Sequence, residues 1–357
     1  MKRLYPAIKY ILLLSLAGVL LYYSFREVHL SDFISGIKSC NFWWIAASML
    51  LGAVSVLIRS ERWRLLMIPL EYENVPRKRS ERKRGRKVSS LLAWDACNIA
   101  YLTNFAIPRA GEITRCGVIS KKSGLPFEKV VGTVVLERSF DMLSLILVTL
   151  SLFFISWERF GTFINNQIIN PVLKMIGVGD GGNGPGEVVE AHINLFVLLG
   201  ISITAFAIFA WILYRFRSKH PFLRKIADIA KGLLAGLISG VKMPQKWLFL
   251  IYTLLLWISY WFMSWTTMLS FPSVSGLTGA DALFLMVVGS FGWVVPVQGG
   301  IGAYHLIVSM ALSSVYAITQ TEGIIFATIS HESQAIIMLV LGALSMVSFG
   351  RKPVINK

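Results

Sequence analysis

Six stretches of this chain, at 9–25, 42–66, 130–156, 192–214, 247–270 and 322–348, approach or exceed the length of apolar sequence that a helix needs to cross the hydrocarbon core of a bilayer, about 20 residues. In water such stretches would have no surface to offer. A soluble domain carries about a quarter of its residues as charges, whereas here 15% are charged and 55% are hydrophobic. Nucleic-acid binders become basic by adding Lys and Arg, not Leu, Ile and Phe. The chain is therefore expected to be an all-α, polytopic membrane helix bundle without a nucleic-acid partner. Its excess of basic residues, 35 against 19 acidic for a formal net charge of +16, then reports orientation.

The positions of those charges set the topology. Arg59, Arg62 and Arg64 close the second span, and the loop at 67–90 holds Arg77-Lys78-Arg79, Arg82-Lys83-Arg84 and Arg86-Lys87. A second basic segment, 215–246, contains Arg215, Arg217, Arg224, Lys225 and Lys231. Both read as cytoplasmic, the second with an amphipathic helix at 222–241 lying on anionic lipid. Residues 26–41 and the Gly-rich loop 158–191 balance or exceed their bases with acids and read as external. Met1-Lys2-Arg3 before the first span resembles a signal peptide, but no small-residue cleavage site follows, and Tyr22, Tyr23 and Phe25 suit an interfacial belt, so a retained anchor is expected. Both termini are placed inside.

Three shorter apolar segments, 91–107, 281–295 and 303–318, do not fit as full crossings. If 91–107 crossed, Arg109, Arg115, Lys121, Lys122 and Lys129 would lie outside, against the positive-inside rule. Charge bookkeeping therefore predicts a re-entrant element from the inside at 91–107 and one from the outside at 281–318. Each contains a Pro-x-x-Gly break, Pro108 to Gly111 and Pro296 to Gly299, with Gly300 and Gly302 following the second. Pro ends a helix and Gly lets the chain turn, so each element reads as two half-helices around a break. Such backbone cannot face lipid. The order span, span, re-entrant element, span occurs twice with opposite starting sides, the plan of an inverted-topology repeat, 1–157 and 192–350.

Charges within spans are the candidate site. Glu137, Arg138 and Asp141 lie on 130–156 at helical spacing, and intramembrane ionisable groups suggest function by default; a self-satisfied ion triad stapling helices is the alternative. Arg109, Glu112 and Arg115 recur every third residue after Pro108, suited either to attracting an anion with the helix end or to marking the inner face. In the last span, His331-Glu332 opens like a zinc HExxH motif, but position 335 is Ala. The pair reads as a buried ion pair or as a proton or head-group site, and His305 follows the second break. Asp95 and Asn98 precede the first. No metal or other cofactor is predicted. Cys40, Cys97 and Cys116 lack paired spacing and read as small apolar residues. The GxGxxG at 177–182 has no preceding strand and reads as a flexible loop.

The segments NFAIPRAGEITR (Asn104–Arg115), GTVVLERSFD (Gly132–Asp141) and PVQGGIGAY (Pro296–Tyr304) resemble the lysylphosphatidylglycerol synthase transmembrane region, a flippase-like family, in order along nearly the whole chain. The resemblance matches Pro108, Arg109, Gly111, Glu112, Arg115, Glu137, Arg138, Asp141, Pro296, Gly299, Gly300 and Gly302. It implies a bacterial or archaeal cytoplasmic-membrane protein that moves aminoacylated phosphatidylglycerol or a related anionic lipid between leaflets. His305 stands where many relatives carry Glu. The soluble aminoacyl-transferring domain has no counterpart here, so lipid synthesis is not expected and the chain is read as a non-enzyme. The expected function is translocation of an anionic or aminoacylated phospholipid or a polyprenyl-phosphate-linked lipid. The alternatives are a small-solute or anion transporter or channel, and a non-transporting partner of a separate lipid-modifying enzyme.

Overall fold

The computed structural model describes residues 4–26, 28–71, 88–107, 109–156, 243–293, 295 and 297–351, with isolated positions between 161 and 224. The chain divides into two compact units, Met1–Ile164 with Pro244–Lys357, and Asn165–Met243. Among the described residues the first unit is all helical: α1 (Leu4–Phe25), α2 (Leu30–Lys38), α3 (Phe42–Glu71), α4 (Ser90–Ala106), α5 (Gly111–Ser123), α6 (Phe127–Ile155), α7 (Lys246–Leu269), α8 (Gly279–Gly292), α9 (Ala303–Tyr316) and α10 (Gln320–Arg351), with a 3₁₀ turn at Gln298–Gly300. Of these, α3, α7 and α10 are long and apolar enough to cross a membrane. The apolar stretch predicted at 192–214 and the segment at 222–241 lie outside the described residues, apart from isolated positions.

The helix ends follow local chemistry. Ser89 caps α4 by accepting the Leu92 N–H at 3.1 Å. Thr278 and Asp281 form a reciprocal capping box on α8, with the Thr278 N–H donating to Asp281 Oδ2 at 2.7 Å. One element departs from the sequence reading. Residues 30–38, taken as part of an external loop, form α2, which packs against α10 where Gly36 meets Ile325.

Outward faces carry large apolar side chains, among them Trp247, Leu254, Leu147, Leu344 and Val347. Helices in lipid gain little from burying such groups against one another, so small and polar contacts must hold them together. That is what the interior contains. The hydroxyls of Ser48 on α3 and Thr267 on α7 are 2.9 Å apart, and the Gln334 amide of α10 donates to Ser48 Oγ at 3.1 Å. Further along α10, Ser348 donates to Asp95 of α4 at 2.9 Å. Between α4 and α10 the backbones approach so closely that a Cβ on Gly342 would lie 3.0 Å from Asn98 O and 2.7 Å from Leu102 Cβ. Gly342→Val is expected to force α10 off α4 and to cost about 1–3 kcal/mol, as overpacking does, read as a lower thermal unfolding midpoint in detergent.

Candidate functional site

The first break separates α4 from α5. The Ile107 N–H closes α4 on Thr103 O at 2.8 Å, Arg109 adopts a left-handed backbone with φ 62°, and the Gly111 N–H then donates to Asn104 Oδ1 at 2.8 Å. The chain thus doubles back, and α5 packs on α4. Arg109 precedes α5 and is exposed, so it does not share a helical face with Glu112 and Arg115 as the three-residue spacing suggested. Pro108 and Pro296 lie outside the described residues.

Buried charges converge behind this break. Glu137 of α6 is fully buried and takes three arginines: Arg59 Nε at 3.0 Å, Arg62 Nη2 at 3.2 Å and Arg115 Nη1 at 2.8 Å. Asp141, one turn on, takes Arg59 Nη2 at 2.8 Å and Arg62 Nη2 at 2.5 Å. A network between helices therefore stands in place of the self-satisfied triad of Glu137, Arg138 and Asp141, the alternative reading of their spacing. Arg138, adjacent to Glu137 and turned away from it, pairs with Glu112 at 2.7 Å and reaches Asp141 only at 3.5 Å. Arg59 and Arg62, read from sequence as orientation markers, are buried within the protein. Their signal was the i, i+3 spacing on a span that must face two intramembrane acids. Tyr101 and Tyr260 add hydroxyls to Arg59 at 3.0 and 3.5 Å, and Thr253 adds one to Arg62 at 3.3 Å. Arg115 also lies over the Trp63 ring at 4.5 Å.

Four arginines here meet three carboxylates (Glu112, Glu137 and Asp141), which leaves one positive charge over. Two buried guanidinium nitrogens, Arg62 Nε and Arg115 Nη2, have no hydrogen-bond partner. Beside Arg115 opens a small cleft lined by Arg59, Arg115 and Arg138 with Glu112, Tyr101, Asn104, Ala100 and Cys97. Three arginines face one carboxylate in that wall, so the cleft suits an anion. Cys97, read as a packing residue, is part of the lining.

The second break forms a separate cluster. After α8, Gly299, Gly300 and Gly302 take φ of 57°, 79° and 82°, left-handed conformations that glycine adopts without penalty. The break is enclosed by protein: Phe105 of α4 lies against Gly299, and Ala17 and Leu20 of α1 against Gly302. His331 of α10 contacts Gly299 O through Nε2 at 2.7 Å and Glu332 Oε1 through Nδ1 at 2.9 Å. His305 Nε2 stands 3.7 Å from the same Glu332 oxygen. The three ligand-capable atoms lie within 4.8 Å of one another, a spacing that the polar contacts within the cluster account for. The structure thus places Arg115, Glu137, Arg138, Asp141 and Glu112 together, and His305, His331 and Glu332 together around the glycine break.

Long apolar helices, lipid-type outer faces and buried ion pairs define an α-helical membrane protein. The family model for the lysylphosphatidylglycerol synthase TM region matches residues 10–342, and the chain belongs to that family. Membership connects it with lipid modification or translocation. No curated protein and no solved structure matches the chain.

Removing one partner from a buried ionic network strands the others. Glu137→Ala is expected to destabilise by about 3–5 kcal/mol, measured as loss of monodisperse protein after extraction.

Proposed function

We propose that this protein moves an anionic or aminoacylated phospholipid, or a polyprenyl-phosphate-linked lipid, across the cytoplasmic membrane. The observation that carries this reading is the arginine-walled cleft beside the buried network, where Arg115 Nη2 lacks a partner and Arg138 is half-exposed. A phosphate oxygen accepting from these donors would gain charge-assisted hydrogen bonds. In this reading the cleft takes the phosphate of a head group, while acyl chains would stay against the apolar outer helices. Family membership supports a lipid as substrate.

In this reading the first and second breaks are the bent ends of re-entrant elements in an inverted repeat, each half-helix reaching part way into the bilayer. The contact of Phe105 with Gly299 supports bringing them together. Six full spans, cytoplasmic termini and a non-enzymatic role belong to the same proposal. Buried Glu137 and partly buried Asp141 hold the arginines in position, while Arg138, bonded only at the rim, is the group most able to exchange Glu112 for a ligand.

Reconstituted protein should move labelled phosphatidylglycerol or a polyprenyl phosphate between leaflets of sealed vesicles, measured by loss of protection from a membrane-impermeant quencher. Arg138→Ala leaves the buried network standing and is expected to slow transfer about tenfold or more, the loss of about 1.4 kcal/mol of binding. Failure to transfer any of these lipids, or flux of small anions without lipid exchange, would overturn the reading in favour of a solute pathway. Copurification of a lipid-modifying enzyme without transport would favour a partner role.

A further inference from the structure

The second break carries chemistry that the arginine cleft does not need. We infer that the His331–Glu332 pair is a proton-binding site, with the proton lodged on His331, and that this proton ties the glycine break to α10. The argument is one of hydrogen-bond inventory. Gly299 O, 2.7 Å from His331 Nε2, can only accept, so Nε2 carries a hydrogen. Glu332 Oε1, 2.9 Å from Nδ1, belongs to a carboxylate that as an anion also only accepts. A neutral imidazole has one N–H, and both contacts at once require an additional proton within the pair.

Its surroundings place that proton on the ring. The Trp293 ring stacks on His331 at 5.3 Å and 29°, and an aromatic face favours a cation. The carboxylate has a second donor: the Gly302 N–H points to His305 Nδ1 at 3.4 Å, which leaves the His305 hydrogen on Nε2, 3.7 Å from Glu332 Oε1. His305 so arranged is neutral and offers no lone pair to a metal on that side. Glu332 is half-exposed while His331 is buried, so the carboxylate is the way in for a proton. Among the described residues the titratable groups around His331 are Glu332 of its own helix and His305 and Tyr304 of α9, the last bonded to Ser330 at 2.9 Å.

Loss of the proton leaves one N–H for two acceptors. Either the break is released from α10 or Glu332 is left facing a lone pair. Because Gly299 packs on Phe105 at the end of the other half-helix, release would be felt at the first break. Use of this proton to drive transport rests on the lipid-translocation reading. The proton site itself does not.

The test uses full-length protein labelled with ¹⁵N-histidine in lipid bilayers at neutral pH, the His331 signal being assigned by its loss in His331→Gln. Both His331 nitrogens are expected to be protonated. In Glu332→Gln, whose amide can donate to Nδ1, one protonated nitrogen should be lost while Nε2–H stays on Gly299 O. A neutral His331 in the unsubstituted protein would overturn the proposal. So would a transition metal retained at one per chain and lost on substitution of His305 or His331. In vesicles, transfer should respond to an imposed pH gradient, and that response should vanish in Glu332→Gln. Lipid transfer indifferent to the gradient would overturn the coupling, and absence of any transfer with the expected nitrogen signals would overturn only the transport reading.

Discussion

The network around Glu137 is the constraint to which the rest of the first unit conforms. A carboxylate with no exposed surface, in a chain whose outer faces are apolar, has only protein to neutralise it. It draws Arg59 and Arg62 from α3 and Arg115 from α5, and with Asp141 it fixes how α3, α5 and α6 rotate about their own axes. An arginine on the wrong face would leave a bare charge in a medium that cannot solvate it. Buried ion pairs of this kind add little net stability over apolar packing, but they penalise wrong arrangements heavily. The weaker hydroxyl and small-residue contacts of α3 with α7, and of α4 with α10, operate within that frame.

The two halves of the site use charge differently. Around the first break it is fixed: guanidinium groups that stay charged, held by carboxylates, with one positive charge in excess. Around the second break the ionisable groups are the two imidazoles of His305 and His331 and the Glu332 carboxylate, and the charge inferred there is a single proton. A permanent cationic wall suits an anion, and a group that exchanges protons suits a response to its surroundings. The two are in reach of one another through Phe105 and Gly299.

Hydropathy made the long helices readable. Residues 42–66, 130–156, 247–270 and 322–348 all fall within or beside helices whose ends differ by a few residues, because a helix of that length and polarity has no alternative in lipid. The breaks were readable too, since Pro and Gly act locally. What could not be read was anything decided by the rotation of one helix against another. Arg59 and Arg62 sit at the end of a span, where the positive-inside rule accounts for them, and only the placement of α6 beside α3 turns them inward. The meeting of His305 with His331 and Glu332 likewise depends on how α9 packs on α10. The short helix α2 was missed because nine residues with mixed polarity resemble a loop.

The contact of α1 with the second break has a bearing on biosynthesis. Ala17 and Leu20 lie against Gly302, so α1 meets this partner only once the chain has been made as far as the second break. That contact therefore forms after the helices between α1 and the second break have been made.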